Sequence, residues 1–154
     1  MPLISGSITW GGALVAVRVG VSRNRKKLLE KLGMPVPDGI SISAQLDTGS
    51  FATGFQPSVF RALGIEPFRK LKIRTPSTKP GAPHDCDQFD VSVTFYSGMD
   101  PIVIPSVHAI ASDDFDDPND EEGDGVQAIL GRDIWNLCKL GYFGPEQTFD
   151  LALP

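Results

Sequence analysis

Gln45-Leu46-Asp47-Thr48-Gly49-Ser50 is the stretch on which the reading of this chain turns. It ends a run, Ile40 to Leu46, in which apolar and polar residues alternate as they do along a half-buried strand. Asp, Thr, Gly and Ser are then four good turn formers in a row. Far downstream comes Ala128-Ile129-Leu130-Gly131-Arg132-Asp133-Ile134, an apolar run closed by a glycine and followed by a helical pattern.

Around these two segments the pattern is mostly β. Ala13 to Val21 is β-branched and reads as a strand. Arg23 to Leu32 is helical in pattern, with Gly33 as its stop. Pro57 to Leu63 forms one or two helical turns between Pro57 and Gly64. Leu71 to Arg74, Phe89 to Tyr96, Ile102 to Ile110, Val126 to Leu130 and Thr148 to Leu153 read as strands. Arg132 to Leu140 reads as a helix, and Phe143-Gly144-Pro145-Glu146 as a turn. Residues 1–12 form a short polar N-terminal segment, and 112–125 an acidic loop.

Length and composition set the frame. At 154 residues the chain is one domain, 1–154, long enough to bury a core without staples. A hydrophobic share of 41% excludes global disorder, and no apolar run approaches the ~18 residues of a membrane span. The first basic residue, Arg18, lies inside an apolar stretch rather than before it, which is not the layout of a signal peptide, so a cytoplasmic protein is expected. Cys86 and Cys138 make no disulfide framework. His84-Asp85-Cys86-Asp87 has no second cluster to complete a metal site, so no metal and no cofactor are expected.

The net charge of −5 hides an asymmetry. Residues 1–80 hold 12 Lys/Arg against 4 Asp/Glu, whereas residues 81–154 hold 2 against 15. The basic clusters, Arg23 to Lys27 and Arg69 to Arg74, lack interleaved aromatics, so they read as a solvated helix face and a polar loop, not a nucleic-acid site. The eight acids of Asp113 to Asp124 lack the spacing of a calcium loop.

The order of the two motifs resembles the retropepsin family, the homodimeric aspartic proteases of retroviruses and their cellular and bacterial relatives. The resemblance spans roughly Ala13 to Leu153, and Phe51 onward through Gly64-Ile65-Glu66-Pro67 looks more like bacterial members. It implies a mostly β, closed barrel of the acid-protease kind with one or two short helices, working as a dimer. By this resemblance Asp47 is catalytic, and Thr48, Gly49, Ser50, Ile129, Leu130, Gly131 and Arg132 support the site. Gly49 lets its N–H approach the carboxylate, Thr48 turns inward to brace the partner loop, and Ser50 bonds the outer carboxylate oxygen. A flap over the substrate is expected within Arg74 to Gly81, with Thr75, Pro76, Ser77 and Thr78 as its candidates, although three prolines through Pro83 depart from the retroviral pattern. A second departure is that no acid follows within Phe51 to Gly54 to pair with Arg132.

The chain contains a single Asp-Thr-Gly, so a carboxyl pair requires Asp47 from each of two chains. The terminal strand and the start of the chain are expected to interdigitate across that two-fold axis. The expected function is a homodimeric endopeptidase acting on peptides or proteins. The alternative from the same residues is a catalytically inactive retropepsin-like module that dimerises or binds peptides. An unrelated β-domain with a chance Asp-Thr-Gly turn is the third reading.

Overall fold

The computed structural model describes residues 2–74, 84–98, 100–113 and 126–154. Ten strands and three helices follow in the order β1 (Leu3–Thr9), β2 (Gly12–Val21), α1 (Arg23–Lys31), β3 (Ile40–Leu46), β4 (Gly54–Phe55), α2 (Pro57–Ala62), β5 (Arg69–Ile73), β6 (His84–Tyr96), β7 (Pro101–Ala111), β8 (Ala128–Leu130), α3 (Arg132–Trp135), β9 (Lys139–Phe143) and β10 (Thr148–Ala152).

Strands β2, β3, β8, β4, β7 and β6 form a ring, closed by pairing β6 back onto β2 from Val17↔Phe95 to Val21↔Val91. The alternation along β2 explains the closure. Val15, Val17, Val19 and Val21 all point inward and are buried, so one face of one strand serves the whole barrel. Ile42 and Ala44 of β3, Val91, Val93 and Phe95 of β6, and Val107 and Ala109 of β7 fill the same interior. A register shift between Val91 and Val93 bends β6 as it turns the barrel corner.

The helices plug and flank this barrel. Helix α1 starts where the Ser22 hydroxyl accepts the Arg25 N–H, and ends before Gly33, whose φ of +66° is the left-handed conformation that favours glycine. Its five basic residues through Lys31 all face solvent and Leu29 alone is buried, as expected of a solvated helix face. Helix α2 buries Val59 and Phe60, and Phe60 stacks on Phe89 of β6 with ring centroids 3.9 Å apart. Among the described residues no helix is long and apolar enough to cross a membrane.

Four sequence expectations change. The polar start of the chain is not a loose segment: β1 occupies Leu3–Thr9 and pairs with β10 from Leu3↔Ala152 to Ser7↔Thr148. The helix expected over Arg132 to Leu140 stops at Trp135, and Lys139–Phe143 is strand β9, paired along β10. Helical spacing of Leu137 and Leu140 is outweighed by the ladder that β10 offers. Strand β4, two residues long, carries no periodic signal. Among the described residues there are three helices, one more than the resemblance implies.

Both edges of β10 are used inside one chain, by β1 and by β9. The flap candidates Thr75, Pro76, Ser77 and Thr78 lie outside the described residues, as does most of the acidic loop. The strands that lead to the flap position are described: β5 and β6 pair antiparallel from Arg69↔Gln88 to Ile73↔His84.

Candidate functional site

Strand β3 runs parallel to β8, with Leu46 opposite Leu130, and this pairing delivers Asp47 and Gly131 to the same end of the barrel. The Leu130 carbonyl is a junction there. It accepts the Asp47 N–H at 3.1 Å and the indole N–H of buried Trp135 at 2.6 Å. Asp47 is thus tied by its backbone to the element that starts α3.

The loop then turns on itself. The Ser50 N–H donates to the Asp47 carbonyl at 3.3 Å, and the Gly49 N–H donates to Asp47 Oδ1 at 2.8 Å. The carboxylate is half-buried and oriented by its own loop. Its other oxygen, Oδ2, has no hydrogen-bond partner among the described residues. Ser50 departs from expectation: its hydroxyl donates to the Ala52 carbonyl at 2.7 Å and not to the carboxylate. Thr48 is exposed in the single chain.

Arg132 lacks the acid partner seen in the retroviral pattern, and backbone oxygens take its place. Its Nη1 donates to the Thr48 carbonyl at 3.1 Å and to the Gly49 carbonyl at 3.2 Å, while its N–H donates to the Ser50 carbonyl at 2.8 Å. One residue therefore grips three consecutive carbonyls of the loop. Gly131 lies so close to the following segment that a Cβ would sit 2.5 Å from the Ala52 carbonyl carbon and oxygen, which no side chain tolerates. Ile129 opposes Gly54 of β4, which extends the same contact.

Two residues the sequence reading did not place in the site complete it. Thr53 is fully buried. Its hydroxyl donates to Asp133 Oδ1 at 2.7 Å and accepts the Gly131 N–H at 3.1 Å, and its own N–H donates to Asp133 Oδ2 at 3.0 Å. Asp133 also accepts the Ile134 N–H at 3.0 Å. The available signal was an acid in the first turn of a helix, where it meets unpaired N–H groups. Gln45 adds a tie on the other side, its Nε2 donating to the Gly11 carbonyl at 2.9 Å.

Among the described residues no group of three His, Cys, Asp or Glu is placed to hold a metal ion. The chemistry of the loop is that of a single oriented carboxylate on a rigid platform. One carboxylate can accept a proton from water, but it cannot also donate one to a leaving group in the same step.

No protein-family model matches this chain, and no curated protein matches it either. Its fold is similar to that of a retropepsin-like aspartic protease from Rickettsia conorii known from its crystal structure. The match has a TM-score of 0.53 and 12% sequence identity, and covers 97% of this chain and 89% of that one. At that identity the likeness is one of fold.

Proposed function

We propose that this chain is half of an aspartic endopeptidase, active as a homodimer with one Asp47 from each chain. The observation that carries the reading is the Asp47 carboxylate itself. It is fixed by the Gly49 N–H, borne on a loop that Leu130, Gly131 and Arg132 clamp from beneath, in a barrel whose fold is similar to a retropepsin-like protease. A fold neighbour of this kind supports a hydrolase that takes peptides.

The mechanism follows from pairing two such loops. Two carboxyls about 3 Å apart cannot both ionise, so the pair holds one proton between them. The ionised member takes a proton from a water held between the two, and that water attacks the peptide carbonyl. The protonated member supplies the proton that the developing tetrahedral species needs. Titration then belongs to the pair, and activity falls on both sides of an acidic optimum. An extended substrate would lie across the two-fold axis, held by strand-like hydrogen bonds.

Asp47→Asn tests this. Asparagine keeps an oxygen for the Gly49 N–H, so the fold and the dimer should persist while peptide cleavage is lost. Cleavage of a peptide library across pH, with mass in solution measured on the same sample, reads both. Retained cleavage by Asp47→Asn, or full activity from a stable monomer, refutes the proposal.

A further inference from the structure

We infer that the cavity bounded by Phe51, Arg69 and His108 is a specificity subsite that takes an acidic side chain of an extended peptide, a few residues from the bond being cut. This rests on the peptidase reading for its position in a substrate, and on the cavity alone for its chemistry. The cavity has a volume of about 430 Å³ and begins at Phe51 and Ala52, directly after the Asp47 loop. Asp47 does not line it. Only Thr48, Gly49 and Ser50 separate Asp47 from Phe51, in a loop that turns on itself. A peptide in strand conformation advances roughly 3.3 Å per residue, so a chain passing Asp47 reaches the cavity within a few residues.

The cavity is apolar on its flanks and cationic at one wall. Phe51 and Leu137 are each about half exposed there, and Leu71 and Ile104 continue the apolar lining. Arg69 is held in place. Its Nε donates to Oε1 of Gln88, and Gln88, only 4% exposed, donates through Nε2 to the His108 carbonyl at 3.0 Å. The guanidinium lies 5.5 Å from the Phe68 ring centroid, and Phe68 in turn meets the His108 ring at 4.8 Å.

This leaves the two terminal nitrogens of Arg69, the pair of donors whose geometry matches a carboxylate, with no acid among the described residues. The acid in the wall, Asp133, is already committed. Both of its oxygens accept bonds from Thr53 and Ile134. Lys70 pairs with Asp87 instead. An arginine anchored on a buried amide beside an apolar cavity is pre-organised for a side chain that has a short apolar stem and a carboxylate end.

The test uses the full-length Asp47→Asn protein, which binds without cutting. Fluorescein-labelled octapeptides of alanine, valine and leucine, with glutamate stepped through each position, are compared with glutamine twins by anisotropy, and the Leu137 and Ile104 methyl groups are followed by NMR. In at least one position glutamate should bind about three- to tenfold tighter than glutamine, with shifts at both methyls. Arg69→Gln should erase that preference, and Arg69→Lys should leave part of it. Equal affinities at every position, a preference that survives Arg69→Gln, or no shift at Leu137 and Ile104 up to about 1 mM peptide would overturn the subsite. Cleavage of the same peptides by the unaltered chain reports separately on the peptidase reading.

Discussion

The Asp47 loop and the terminal sheet of β1, β10 and β9 lie at opposite extremes of completeness. In the loop most backbone groups are engaged within one chain: bonds to Leu130, Arg132 and Asp133 hold the segment from Asp47 to Thr53 at several points. The terminal sheet is finished on its inner face, where Phe149, Leu151 and Leu153 are buried, and open on its outer one. Among the described residues no strand pairs with the far edge of β9, and Leu3, Tyr142 and Phe143 are exposed. At the β1–β2 turn Trp10 is 99% exposed. The difference teaches that this chain orients its carboxylate by itself while its terminal sheet leaves apolar side chains exposed.

The contrast can be broken most directly at Gly131. Gly131→Ala drives a methyl into the Ala52 backbone, which cannot move aside as a flexible side chain could, and should cost about 3 kcal/mol or more in urea unfolding. A loss under about 1 kcal/mol would mean the loop is not clamped as described. Thr53→Val keeps the shape and removes the hydroxyl, leaving the buried Gly131 N–H without its acceptor and Asp133 Oδ1 with the Ile134 N–H alone. The expected loss is about 2 kcal/mol, with Thr53→Ser close to unchanged.

Arg132→Ala removes two bonds to exposed carbonyls, so stability should fall by only about 1 kcal/mol. Peptidase activity should fall further than stability, because those bonds orient the loop that carries Asp47. Equal, small changes in both would demote Arg132 to a surface residue. On the open side, Trp10→Ala should change the stability of the dilute monomer by less than about 0.5 kcal/mol. A larger, concentration-dependent drop in melting temperature would mean that Trp10 is covered by a second chain. The smallest effect concerns Cys138, half-buried under α3. Burial disfavours its thiolate and raises its pKa, so the folded chain holds the proton longer than the unfolded one. Stability from this source is present at neutral pH and unchanged as the unfolded thiol stays protonated. It shifts, to the disadvantage of the folded state, once pH exceeds the ordinary thiol value. Alkylation of Cys138 near pH 8 should accordingly run slower than that of a free cysteine.

Much of the barrel was legible because its strands alternate. Ile40 to Leu46, Phe89 to Tyr96 and Thr148 to Leu153 show a period of two with β-branched or aromatic residues inward, and burial on one face requires that pattern. The helix stop at Gly33 was equally plain. Lys139–Phe143 was misread because an edge strand with mixed exposure has no alternation of its own, and its conformation comes from hydrogen bonds to β10. Ser50 was misassigned for a similar reason. A hydroxyl goes to whichever acceptor the local turn brings nearest, and a sequence does not carry that distance.

Local chemistry in the chain therefore determined the turn that holds Asp47, the glycines that let backbones approach, and the strands that alternate. It also determined that Asp47 is the one acid of the chain set in an Asp-Thr-Gly turn. Tertiary structure alone decided which segments meet: that Thr53 and Asp133, 80 positions apart, join to hold Gly131, and that Arg132 grips carbonyls where the retroviral pattern has an acid. It decided too that β10 spends both edges inside its own chain. The physical reason is the same in each case. Periodicity and turn chemistry act over a few residues, whereas a hydrogen bond between distant segments exists only after the barrel has closed and fixed the distance between them.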